Sequence, residues 1–328
     1  MSSSFTVVEG SANLPSQLRG AVIAVGNFDG VHKGHQYLLH QALLLAKQLS
    51  CSALVFTFEP HPIITKGACH EYHRLTTIAQ KYQILDSLGF DGVVEQRFDN
   101  AFMQLEAKEF IDKILIQNLA IKAIVVGNDF CFGKDRVGNS VLLNEYANKY
   151  NNFILHLVDV QKTPQLHNIS SSYIRQLLCR GLVDKAAQLL NYHYTIENVV
   201  VHGAKLGRKI GFPTINMELS SGQNLAYGIY AVKLKRANGY VYDGVASFGK
   251  RPTVIEEGKP LLETYIFNFN EEIYGEYARV SLFKFLRKER KFENLDQMIE
   301  QIKLDVKQAR HILKQQQPLS KLDKEICF

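Results

Sequence analysis

Apolar residues follow two different rhythms along the chain, and the change comes near residue 187. From Ala21 to Ala187, short β-rich runs alternate with helically spaced ones. The strands would be AVIAV (21–25), SALVFTF (52–58) and AIVVG (123–127); the helices would carry Leu38, Leu39, Ala42, Leu43 and Ala46, and then Ile78 to Leu88. Such alternation predicts a parallel sheet with helices on its faces. Beyond about residue 190 the runs become short alternating strands broken by turns: YTIENVVVHG, YGIYAVKLKRANGYVYDGVASFG, LETYIFNFN and ARVSLFKFL. Ala237-Asn238-Gly239 gives a hairpin turn between two of them. This half predicts an antiparallel barrel or sandwich. Leu295, Met298, Ile299, Ile302 and Val306 then mark an amphipathic helix, and the chain from about Gln315 reads as loosely held.

Composition narrows the classes. At 328 residues the chain is long enough for two cores, and 46% hydrophobic with 21% charged residues excludes disorder along most of it. The N-terminus has no basic start leading into an apolar stretch, and no run approaches the length of a membrane span, so the expectation is a cytoplasmic protein without a membrane partner. Cys51, Cys69, Cys131, Cys179 and Cys327 are scattered with no C-x-x-C pair, and read as reduced thiols. A net charge of +6 suits an anionic partner. The densest basic cluster, Lys284 to Lys291, is broken by Phe285, Leu286 and Glu289, so a polyphosphate substrate is expected rather than nucleic acid.

Candidate chemistry begins with GNFDGVHKGH, residues 26–35, which follows an apolar strand and precedes a helix. Gly26, Gly30 and Gly34 allow a sharp turn and close ligand approach, and the helix start offers N–H groups to phosphate. His32 and His35, three apart, share a face and can donate to a departing pyrophosphate. A metal site with Asp29, or a plain surface pair, are the competing readings. Further on, Ser170, Ser171 or Ser172 can cap a helix with Arg175 one turn onward, which suits phosphate. In Pro213-Thr214-Ile215-Asn216, the Thr214 hydroxyl and the Asn216 amide point the same way on an extended strand and can share a magnesium ion bound to ATP. The alternative is a simple turn into a strand.

The turn resembles the H-x-G-H nucleotidylyltransferase superfamily, and residues 26–35 are similar in particular to the bifunctional riboflavin kinase/FAD synthetases. FEPHP (58–62), VGNDFCFGKDRVGN (126–139) and ISSSYIR (169–175) follow in that family's order. So do HGAKLGRKIGFPTINM (202–217), YGIYAV (227–232), GVASFGKRPT (244–253) and LETYIFNF (262–269).

The resemblance implies a doubly wound α/β nucleotidylyltransferase domain over 1–186 and an antiparallel Greek-key β-barrel kinase with a C-terminal helix over 187–328. It implies phosphorylation of riboflavin to FMN, then adenylylation of FMN to FAD with release of pyrophosphate, with ATP as co-substrate and Mg2+ as cofactor. His32 and His35 would be catalytic in adenylyl transfer, with Gly26, Asn27, Phe28, Gly34, Ser171, Ser172 and Arg175 binding ATP. Asn128, Asp129 and Phe130 would contact the flavin. In the kinase, Gly203, Gly207, Gly211 and Pro213 would bind ATP, Thr214 and Asn216 the metal, and Glu263 would be the general base. Two positions depart from the family pattern: Cys131 stands where a basic residue is common, and Ile215 where Ala is usual. Two rival functions remain at this stage, an H-x-G-H enzyme acting on another acceptor and a non-catalytic flavin-binding protein.

Overall fold

Six strands, β1 (Thr6–Glu9), β2 (Val22–Val25), β3 (Ala53–Glu59), β4 (Gly92–Arg97), β5 (Ala123–Gly127) and β6 (Ile154–Val158), form one parallel sheet in the order β1-β4-β3-β2-β5-β6. Every residue of β2 is apolar and buried, as a central strand covered on both faces requires. From β2 the chain steps outward through β3 and β4, then returns to the other side of β2 for β5 and β6. That reversal places a topological switch point between β2 and β5, where open α/β sheets bind ligands at their carboxyl ends. One face of the core joins Ile23, Val25, Phe56, Ile124 and Val126 to Phe110 and Leu115. Helices α1 (Lys33–Leu49), α2 (Ile78–Leu88) and α3 (Ser140–Tyr150) follow β2, β3 and β5. Thr77 and Gln80 close a reciprocal capping box at the start of α2.

The computed structural model describes residues 5–65, 72–150, 153–159, 166, 169–203, 206–219, 222–250 and 260–328. Its backbone packs as two units, Met1–Ser170 and Ser171–Phe328. Cys69 and Arg251 to Thr253, named in the sequence reading, lie outside the described residues.

The second unit opens with α4 (Ser171–Cys179) and α5 (Val183–Leu190). Strands β7 (Thr195–Val199), β8 (Thr214–Glu218), β9 (Gly228–Arg236), β10 (Val241–Lys250), β11 (Pro260–Ile266) and β12 (Tyr277–Arg287) pair in the order β7-β12-β9-β10-β11-β8. An antiparallel bridge from Val201 to Asn216 brings the two edges together, giving a nearly closed barrel. Alternation sorts its faces. Ile215, Thr264, Ala246 and Tyr230 form an inward row across four strands and are all buried. The β9–β10 hairpin turns where the sequence reading put it, with Gly239 at φ 88°.

Helix α6 (Leu295–Lys314) lies over β9, β10 and β12. The expectation of a loose chain after Gln315 is overturned: α7 (Lys321–Cys327) buries Leu322, Asp323, Ile326 and Cys327 against the barrel. Asp323 explains the error. Its carboxylate lies 3.0 Å from His193 Nδ1 and accepts the His193 backbone N–H at 2.8 Å and the Leu319 N–H at 2.9 Å. Burial pushes its carboxyl up, but the His193 contact and those backbone donors outweigh it and hold the group below the usual range.

Candidate active sites

In the first unit, the residues between β2 and α1 form a strained turn. Phe28 and Val31 have φ of 49° and 35°, a region that L side chains rarely occupy and that concentrates at functional sites. The turn is held in place from outside. Asp29 Oδ1 accepts the Leu75 N–H at 2.9 Å, and Gly30 N–H donates to Thr76 Oγ1 at 3.2 Å. Buried Lys81 donates to Thr57 Oγ1 at 3.1 Å, and that hydroxyl in turn reaches the Asn27 carbonyl at 3.4 Å. Burial lowers the Lys81 ammonium below its ordinary value. Arg74 forks onto Glu59 at 2.6 and 2.7 Å beside a cavity that Asn27, Phe58 and His61 also line.

His32 is the N-cap of α1, and its Nδ1 accepts the His35 backbone N–H at 3.2 Å. A neutral His32 therefore carries its proton on Nε2. The two imidazoles stack, with centroids 3.6 Å apart and planes 15° from parallel, and the Phe28 ring stands edge-on to His35. Burial, and next the neighbouring His32, hold the His35 imidazole well below its usual value. Among the described residues its Nδ1, which is buried, has no hydrogen-bond partner. With His35 held neutral, the pair presents imidazole N–H donors at a helix start, an arrangement suited to phosphate oxygens.

Gly26 is half-buried against the Phe28 ring, Asn27 is exposed and Gly34 is buried in the first turn of α1. Asn128 and Asp129 are exposed on the loop after β5, on the other side of the switch point from the histidine turn. Phe130 stacks on Phe132 at 5.4 Å and packs on the core. Ser171, Ser172 and Arg175 lie on α4, which packs as part of the second unit.

In the second unit, antiparallel pairing does what no contiguous motif does. Asn216 on β8 stands directly opposite Glu263 on β11, so both project from the outer face of the barrel, and Thr214 shares that face two residues away. Asn216 is 2% exposed, and its Oδ1 is buried with no hydrogen-bond partner among the described residues. A buried amide oxygen left unsatisfied is costly and calls for an explanation. Gly203 lies against the Asn216 amide so closely that a Cβ there would collide with it. The glycine is needed for that approach. Gly207 is half-buried, while Gly211 and Pro213 are exposed just ahead of β8. Hard oxygen donors from Thr214 and Asn216 fit a magnesium ion. Among the described residues another cluster, His193, Asp323 and Cys327, has metal-ligand atoms in proximity. There Asp323 is engaged by backbone N–H groups, and burial pushes the Cys327 thiol up to about 12, so the cluster is a packing device.

A histidine turn at a switch point in one unit and oxygen donors on a barrel face in the other suit a two-headed ATP-using transferase. Residues 14–173 match the FAD synthetase family and residues 190–313 the riboflavin kinase family. The bifunctional riboflavin kinase/FMN adenylyltransferase of Haemophilus influenzae is 36% identical over 309 residues, covering 93% of this chain and 98% of its own. That of Escherichia coli K12 is 35% identical over 295 residues, covering 89% and 92%. The chain belongs to the bifunctional riboflavin kinase/FMN adenylyltransferases. A crystal structure titled as a macrolide-efflux protein from Streptococcus pneumoniae shares the architecture, with a TM-score of 0.81 and 30% identity over 93% of this chain and 98% of that one.

Proposed function

We propose that the chain carries out its family's two reactions at the two sites described above, adenylyl transfer at the histidine turn and riboflavin phosphorylation on the outer face of the barrel. The overall conversion, riboflavin to FMN and FMN to FAD at the expense of ATP, comes with the family. The observation that carries the assignment of sites is Asn216, whose buried, unsatisfied Oδ1 stands opposite Glu263. The functional halves are placed at 1–186 and 187–328. The efflux named for the S. pneumoniae structure is not carried over: among the described residues, no helix is long and apolar enough to cross a membrane. A cytoplasmic location, with no nucleic-acid or membrane partner, belongs to this reading.

In the kinase, Glu263 accepts the proton of the riboflavin terminal hydroxyl as its oxygen bonds to the γ-phosphorus of ATP and the bond to ADP breaks. Thr214 and Asn216 would hold magnesium, which would neutralise charge on the ATP phosphates. Gly203, Gly207, Gly211 and Pro213 shape the approach of the nucleotide. In the adenylyltransferase, an FMN phosphate oxygen bonds to the α-phosphorus of ATP and pyrophosphate departs. That oxygen is already ionised, so no base is required. His32 and His35 donate to the developing charge, with Gly26, Asn27, Phe28, Gly34, Ser171, Ser172 and Arg175 as ATP ligands and Asn128, Asp129 and Phe130 as flavin contacts. Chromatography of riboflavin incubated with the purified chain, ATP and magnesium tests the function: FMN and then FAD should appear, and unchanged riboflavin overturns it.

A further inference from the structure

The face that carries Asn216 and Glu263 does not end with them. Strand register continues the same transverse row: Glu263 pairs with Ser247 on β10, Ser247 with Ile229 on β9, and Ile229 with Arg287 on β12. All five side chains therefore project from the outer face, each about 4.8 Å from the next. Inward neighbours such as Leu262, Phe248 and Tyr230 are fully buried, whereas Glu263 and Ser247 are only half-buried.

Beyond Arg287 the chain leaves β12 and its side chains reach β10. Arg287 is fixed at the end of β12 by buried Asp305 of α6, with Nη2 to Oδ2 at 2.7 Å and Nε to Oδ1 at 3.0 Å. Two residues later Glu289 reaches Ser247, whose Oγ lies 3.4 Å from its Oε1. The carboxylate rests on Gly249 so closely that any Cβ at that position would overlap it. A second carboxylate is thus brought beside the row, one strand from Glu263 and on the side away from Asn216.

That order has a chemical meaning. Asn216, with its unsatisfied buried oxygen, and Thr214 mark one side of Glu263 as the end that meets metal and phosphate. The side toward Ser247 is then where the acceptor lies. A carboxylate there repels phosphate but accepts hydrogen bonds at several lone-pair sites, of which the long Ser247 contact takes at most one. Resting on the kinase assignment made above, we infer that Glu289 is a substrate-positioning residue that accepts hydrogen bonds from the secondary hydroxyls of the riboflavin side chain and so aligns the terminal hydroxyl with Glu263. Ser247 steadies the Glu289 carboxylate, and Gly249 leaves it room.

The test is steady-state kinetics of riboflavin phosphorylation on the full chain, comparing wild type with Glu289→Gln, Glu289→Ala and Gly249→Ala. A second acceptor substrate keeps the dimethyl ring and the terminal hydroxyl but has a plain hydroxypentyl chain in place of the polyol. Loss of hydrogen bonds to a charged acceptor should raise the KM for riboflavin by about tenfold or more, while the KM for ATP stays at the wild-type value. Gly249→Ala, which displaces the carboxylate without removing it, should do the same. With the hydroxypentyl substrate, wild type and Glu289→Ala should be equal, because the partner hydroxyls are gone on both sides of the comparison. That substrate also shows that the variant barrel is folded. An unchanged riboflavin KM in Glu289→Ala overturns the inference, and so does an equal loss with both acceptors. Wild-type chain that leaves riboflavin untouched overturns the kinase reading itself.

Discussion

The histidine turn and the barrel face, the two sites proposed for the nucleotide, are built by opposite constructions. In the first unit ten consecutive residues, Gly26 to His35, make the turn, and its shape is imposed by backbone: positive φ angles at Phe28, Gly30 and Val31, a histidine cap and outside bonds to Leu75 and Thr76. In the second unit Asn216, Glu263 and Ser247 come from three strands, and only pairing register makes them neighbours. A loop site tolerates changes in the sheet below it. A site made by register does not, because a slip of one residue turns every side chain to the other face.

The sharpest way to break this contrast is chemical. Glu263→Gln should lower riboflavin phosphorylation by about a hundredfold or more while supplied FMN is still converted to FAD at the wild-type rate, both read by chromatography. Loss of both activities in a folded variant would mean that the sites are not separate. The reciprocal change, His32→Ala, should cut FAD formation by on the order of a hundredfold and leave FMN formation intact.

Acid sharpens the comparison, because His35 is held neutral. As pH falls, the unfolded chain takes up the proton before the folded one, so the His35 contribution to stability is complete above the unfolded value of about 6.5 and is lost as pH drops from there toward the lowered native value. Between about pH 7.5 and about pH 5.5, the unfolding midpoint of wild type should fall further than that of His35→Asn. Equal falls would show that His35 is not strained by protonation. The smallest effect distinguishes two orphaned atoms on opposite faces of the barrel. Among the described residues Thr264 Oγ1 is buried inside without a partner, as Asn216 Oδ1 is on the outer face. If only the outer one serves a ligand, Thr264→Val should raise the urea midpoint, by a stabilisation of about 1 kcal/mol, with both activities unchanged.

The sequence was most readable where chemistry is contiguous. Strand–glycine turn–helix spacing located His32 and His35, and alternation located the face shared by Thr214 and Asn216. Ser247 and Glu289 were not read as site residues because their relation to Glu263 depends on the pairing of strands and on a contact 42 residues apart in the chain, and neither leaves a periodic trace. The stitching of Asp29 to Leu75 escaped for the same reason, at a separation of 46 residues. The segment after Gln315 misled in another way. Two of its four buried residues in α7 are Asp323 and Cys327, and an aspartate inside a core is invisible to a hydrophobic pattern until its histidine partner is known.

The His193–Asp323 contact also sets a timetable for the newborn chain. Its two ends are 130 residues apart, so closing it demands a long loop, whereas the first unit is assembled from successive strand–helix steps. While a ribosome is still adding residues, β2, α1 and β3 can already pair and pack. His193 must wait for Asp323 to emerge. The strands of the first sheet all precede His193 in the chain, whereas the barrel is fastened only once Asp323 has been added.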